Sequence, residues 1–168
     1  MASGNIVVHI LAVLPPGANY ATIDVREGGS TPAEEVSVYD FDDTTIEYLD
    51  LLCFLWGYDS GGLTFIIPWF ATSATDGVCR LGIAIRRLQD DTDDIDDAHS
   101  YDFNDVDDTA ASVSGEPSYP TVAFTDGADM DNWANGELAI VRIRRNASHE
   151  NDTMIGDAEL ELPIGKET

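Results

Sequence analysis

The residues of this 168-residue chain with the greatest capacity for chemistry are its aspartates. The run DDTDDIDD gathers Asp90, Asp91, Asp93, Asp94, Asp96 and Asp97 into one short stretch. A Ca²⁺ ion draws about six to eight oxygen ligands from flexible loops of this kind. Asp90, Asp93, Asp94 and Asp97 are the candidate metal ligands. The run lacks the turn glycine and the closing bidentate Glu of an EF-hand loop, so a solvated acidic loop is the simpler expectation. Asp126, Asp129 and Asp131 around Gly127 make a smaller set, where Asx side chains bonded to the backbone would account for a plain turn.

Other reactive types are scattered. His9, His99 and His149 stand alone, with no second histidine at ligand spacing. There is no G-x-S-x-G, no phosphate-binding glycine loop, and no cysteine with a recognisable His and Asn context. Pairs of acids about 5 to 10 Å apart occur in any Asp-rich sandwich, so they do not single out a glycosidase. The expectation is a chain without catalytic residues and without a required cofactor. Trp56, Tyr58, Trp69, Phe70 and Trp133 could build a sugar-stacking platform, but Trp56 and Trp69 sit in apolar runs and read as core. Trp133, in the polar segment DMDNWANGE, is the candidate for ligand contact. The sequons at Asn146 and Asn151 read as a hairpin turn.

The elements that would position these groups are short and β-rich. Strands are expected over residues 6–13, 20–26, 36–41 and 46–56, the last turning from alternation to a continuous apolar run, LLCFLW. Pro15, Pro16 and Gly17 end the first. Residues 63–71 are strand-like but carry Pro68, which must lie at an edge or bulge because it cannot donate a ladder hydrogen bond. Residues 78–88 set Cys79, Leu81, Ile83 and Ile85 against Arg80, Gly82, Ala84 and Arg86, the pattern of a half-buried strand. Residues 89–108 read as a long acidic loop with a short strand near 101–103. Residues 119–125, 137–145 and 158–164 supply the last strands. With no helical period and no fixed repeat, the pattern predicts an antiparallel jelly-roll-like β-sandwich over residues 20–168, preceded by an N-terminal strand or arm over 1–19.

Composition narrows the partners. Eight basic against 32 acidic residues give a net charge of −24, and Lys166 is the single lysine. Phosphate backbones are bound by displacing counterions with Lys and Arg, so nucleic acid is not an expected partner. Hydrophobic residues still make up 43% of the chain, enough for a core, so the acid belongs outside. Such a surface suits a saline setting as well as plain solubility. Cys53 and Cys79 lie in apolar runs and read as buried free thiols. The apolar start lacks a basic n-region and a cleavage site and is not read as a signal peptide. No run approaches the roughly 20 apolar residues of a membrane-spanning helix.

Three segments carry a resemblance: WFATSAT at residues 69–75, LAIVRIRR at 138–145 and NDTMIGDAEL at 151–160. Their order and turn chemistry resemble tailed-bacteriophage structural proteins of jelly-roll type, and the likeness runs from about Ala21 to Thr168. The resemblance implies a non-enzymatic virion building block: a capsid decoration or cement protein, a head fibre or a tail appendage, commonly trimeric. It would be made in a host bacterial cytoplasm and bind the major capsid protein and its own copies. The alternative is a receptor-binding or carbohydrate-binding module of a phage tail. The dense acid of residues 89–108 and the very apolar central strand depart from the family's usual look.

Overall fold

A computed structural model describes residues 4–168. It contains twelve strands and one short 3₁₀ turn: β1 (Val8–Leu14), β2 (Thr22–Glu27), β3 (Glu35–Phe41), β4 (Glu47–Leu55), β5 (Leu63–Ile66), β6 (Trp69–Ala71), β7 (Val78–Leu88), β8 (Asn104–Thr109), β9 (Thr121–Phe124), the turn (Ala128–Met130), β10 (Leu138–Arg145), β11 (Ala158–Leu160) and β12 (Ile164–Glu167). Every strand pair is antiparallel.

One layer is a five-stranded sheet in the order β1-β4-β10-β7-β8. The opposite layer is built from a four-stranded sheet, β2-β3-β11-β6, and a three-stranded sheet, β12-β5-β9. These two are joined because β5 runs into β6 and β11 into β12. The breaks fall at Pro68 and Pro163, which have no N–H to give to a ladder. Pro68 therefore lies at a junction between sheets, where its carbonyl accepts the Glu161 N–H at 2.9 Å. The protein is thus an all-β antiparallel sandwich.

Its core is a single cluster drawn from both layers. Leu49, Leu51, Cys53 and Leu55 of β4 alternate inward, as do Leu81 and Ile83 of β7 and Val141 and Ile143 of β10. They meet Phe41, Trp69 and Leu160 from the four-stranded sheet and Phe65, Val122 and Phe124 from the three-stranded one. β1, set apart in the sequence as an arm, pairs with β4 along its length, with a bulge between Ile10 and Ala12. It also packs on the far layer: a Cβ at Gly165 of β12 would lie 2.5 Å from a Val8 methyl, so a glycine is needed there. Both thiols are free and buried, and burial pushes each up to about 12.

The acidic segment differs from its expectation in one strand. Residues 101–103 are not a strand; the strand is Asn104–Thr109, whose sequence NDVDDT has little β propensity. Tertiary charge pairing overrides propensity here. Arg80 of β7 meets Asp105 at 3.2 Å, and Arg144 of β10 meets the same carboxylate at 2.9 Å. In the ladder Gly82 lies between Arg144 and Asp105, and a Cβ on it would sit 2.1 Å from Asp105 Oδ1. The glycine leaves the gap through which the ion pair forms.

Every arginine is engaged in this way, by a carboxylate or by backbone carbonyls. The many remaining carboxylates repel one another over the surface. Raising NaCl from 0.02 M to 1 M is therefore expected to raise the melting temperature by a few degrees or more, as about 1–2 kcal/mol would at this size. Equal melting temperatures at the two salts would contradict it.

Candidate functional site

The registers of β1, β4, β10 and β7 arrange the outward side chains of the five-stranded sheet in rows. His9, Phe54, Leu138 and Leu88 form one; Ala12, Leu52, Ile140 and Arg86 the next; Leu14, Asp50, Arg142 and Ala84 the third. The face therefore grades from apolar to charged. Its charged end is covered by residues 89–103, which run back from the end of β7 as a strap. Arg86 Nη2 donates to the carbonyls of Asp94 and Asp97 at 2.8 and 3.0 Å, pinning the strap to the sheet. Tyr101 stacks on the Arg142 guanidinium at 4.1 Å and Phe103 on that of Arg144 at 3.9 Å. Arg142 in turn holds Asp50 through two hydrogen bonds, 2.6 and 2.7 Å.

The apolar end is open. Leu14, Pro15, Leu52, Leu88, Ile95 and Ile140, with Asp50 where the groove meets the charged row, enclose a space of about 480 Å³. A second hollow of about 250 Å³ continues past Leu88 to Phe54 and Leu138, with Asp90 and Glu137 at its border. Phe54 stacks on Trp56, ring centroids 6.2 Å apart, and Trp56 is 62% exposed.

The structure corrects the reading of two tryptophans. Trp56, expected in the core, faces solvent because it shares the outward parity of Tyr48, Asp50, Leu52 and Phe54 on β4. Trp133, the candidate for ligand contact, is 1% exposed, and its Nε1–H donates to the Glu137 carbonyl at 2.9 Å. Its ring closes the turn before β10 and forms part of the wall of a small polar hollow beside Tyr58 and Asp126.

The candidate metal ligands are spread along the strap. Asp93 accepts from the Gln89 N–H at 2.7 Å and from Arg87 Nε at 3.2 Å, and Asp94 accepts from the Asp96 N–H at 2.9 Å. Asp90 and Asp97 project into solvent. Asp126 accepts the Tyr58 hydroxyl, Asp129 the Thr125 N–H, and Asp131 the Arg87 N–H. Among the described residues the carboxylates that do converge are Asp42, Asp43 and Asp157, with one oxygen of each within 4.8 Å of the others. Their bonds serve turns: Asp42 caps Thr44 and Thr45, Asp43 accepts the Gly156 N–H at 2.7 Å, and Asp157 accepts the Asp43 N–H at 3.1 Å.

On the outer side of the other layer, Arg26 reaches across β3 to pair with Glu159 and lies over the Phe70 ring. Beside it Asp40 is pushed up to about 6, first by burial and then by Asp157, Glu159, Asp24 and Glu47. The folded state thus holds a proton on Asp40 that the unfolded chain releases near its ordinary value of 3.8. Stability is lost as pH rises through the window from 3.8 to about 6. Asp40→Asn is expected to melt above the wild type at pH 7.5, the gap closing toward pH 4. A gap that does not change with pH in paired thermal melts would refute this.

The β2–β3 hairpin carries a second apolar exposure. Ile23 and Val25 share a face with Tyr39, which packs on the core, yet they are 71% and 49% exposed because the hairpin overhangs the opposite layer. Gly28 donates inward to Glu34 at 2.7 Å, so by alternation the N–H groups of Ile23, Val25 and Glu27 point outward. That of Val25 is met by the neighbouring Asp24 carboxylate at 2.8 Å.

No family model and no curated protein matches the chain. Among solved structures, that of TmCBM61 in complex with beta-1,4-galactotriose aligns over 94% of this chain and 88% of that chain, at 12% identity and a TM-score of 0.39.

Proposed function

We propose that this chain is a non-catalytic virion structural protein, a capsid decoration or cement protein or a head appendage of a tailed phage. It binds the major capsid protein and its own copies. The observation that carries the reading is the placement of apolar surface. A chain of charge −24 leaves two apolar patches open, the groove on the five-stranded sheet and the overhanging β2–β3 hairpin. Patches of this kind in an acidic surface mark interaction sites. The resemblance of residues 69–75, 138–145 and 151–160 to jelly-roll phage proteins supports the same reading. Electron cryomicroscopy of the intact particle tests it: copies seated on the capsid or at a head vertex are expected. Particles that carry no density for this chain would overturn the proposal.

A carbohydrate-binding module of a phage tail is the second reading. It is favoured by the exposed Trp56 stacked on Phe54, next to a hollow bordered by Asp90 and Glu137. Ring faces stack on sugars while carboxylates accept from hydroxyls. Calorimetry with host-cell polysaccharide would then give saturable binding that Trp56→Ala abolishes.

A further inference from the structure

The groove over Leu52 and Ile140 has a chemistry that selects its occupant. Its lining is aliphatic apart from Asp50, whose carboxylate is already held by Arg142, so a hydroxyl-rich or ionic ligand placed on it would lose hydrogen bonds to water without replacement. The strap at its rim is acidic: Asp90 and Asp91 line a hollow that shares Leu88 and Ile95 with the groove, Asp96 follows Ile95 in the chain, and all three are exposed with no ion pair among the described residues. An occupant that satisfies both must be apolar where it touches the floor and basic where it passes the rim. A second copy of this chain does not meet that description. Its arginines are engaged, and its one lysine, Lys166, lies on β12 of the opposite layer.

We propose that the groove seats an extended segment of a different protein in which apolar side chains alternate with lysine or arginine. The alternation follows from strand geometry, which turns successive side chains to opposite faces, so that one set fills the groove. The long basic side chains bend from the other face to the rim carboxylates. This rests on the assembly reading above and names the chemistry of the partner surface that reading requires.

Three synthetic heptapeptides test it by calorimetry in 0.15 M NaCl: KLKLKLK, KSKSKSK and ELELELE. KLKLKLK is expected to bind with one-to-one stoichiometry, KSKSKSK at least about tenfold more weakly, and ELELELE not at all. Ile140→Asp is expected to weaken KLKLKLK about tenfold or more, whereas Ile155→Asp, at a site 84% exposed and remote in sequence from the groove residues, leaves it unchanged. Because a charge at position 140 could disturb folding, the surface variant Asp90→Asn/Asp91→Asn/Asp96→Asn gives an independent reading: weaker binding with a flatter salt dependence. Equal binding of KLKLKLK and KSKSKSK, or undiminished binding to a folded Ile140→Asp, overturns the proposal. So does sedimentation in which Ile140→Asp dissociates a homo-oligomer, since a copy would then fill the groove. Failure of the peptides while particles retain the wild-type protein would reject the basic partner and leave the assembly reading standing.

Discussion

Asp152→Ala is expected to lower the unfolding free energy by about 3–5 kcal/mol, the cost of leaving a buried charge without its partner. Arg145 and Asp152 are 0% and 1% exposed and are joined through two hydrogen bonds, 2.9 and 3.1 Å. The rest of the guanidinium donates to the carbonyls of Met154 at 2.9 Å, Gly156 at 2.8 Å and Phe41 at 3.3 Å. Asp152 also accepts the Arg80 N–H at 2.9 Å. Removing the carboxylate strands a cation that water does not reach. Arg145→Met is expected to cost a similar amount, because the carboxylate and the three carbonyls lose their donor. The double variant Arg145→Met/Asp152→Ala should lose less than the sum of the single changes, since the two side chains form one network. Urea unfolding of the four proteins measures this. A single-variant loss below about 1 kcal/mol would mean that the pair is not the buried clamp described.

That clamp gives physical content to a sequence segment that was legible only as a likeness. In NDTMIGDAEL, Asp152 binds the guanidinium, Met154 and Gly156 offer carbonyls to it, and Gly156 donates to Asp43. Asn151 ties the same turn to Asp107 at 2.7 Å. The segment is a device that fixes the crossing from β10 to β11, and the arginine it wraps is the last residue of LAIVRIRR.

Period-two alternation exposed most of the fold. Val78–Leu88 emerged with the bounds and inward face it has in the structure, because Cys79, Leu81 and Ile83 alternate with residues of different character. β8 did not emerge, since three aspartates in NDVDDT carry no apolar pattern and the groups that hold them, Arg80, Arg144 and the Trp69 indole N–H, lie in other strands. Gly82 was the available signal: a glycine between Leu81 and Ile83 in a strong strand marks a close approach from a neighbour. Trp56 was misplaced for the opposite reason. The outer row of β4 includes Leu52 and Phe54, so an apolar outward face next to an apolar inward one erased the alternation that would have shown which way Trp56 points. The same erased alternation is what the groove consists of, and parity with Asp50 would have revealed both.

The hairpin variant Ile23→Glu/Val25→Glu is expected to convert an assembled protein to monomer. The two side chains are the exposed apolar pair of an edge strand whose outward backbone groups have no strand beside them among the described residues. Self-association there joins apolar contact to ladder hydrogen bonds, with the Val25 N–H passing from Asp24 to a neighbouring carbonyl. It also brings together chains of charge −24, so Coulomb repulsion opposes it and salt favours it. Light scattering of the wild type over a wide concentration range should give an oligomer, expected to be a trimer, that strengthens between 0.15 M and 1 M NaCl. The double variant should stay monomeric at both salts, since two added carboxylates on each chain occupy the contact itself. Ile155→Glu, a single change at a still more exposed apolar residue outside the hairpin, should leave assembly as it was. An oligomer that survives the double variant would move the contact elsewhere. A wild type that is monomeric at every concentration and salt, on particles that show isolated copies, would remove self-assembly from the function altogether.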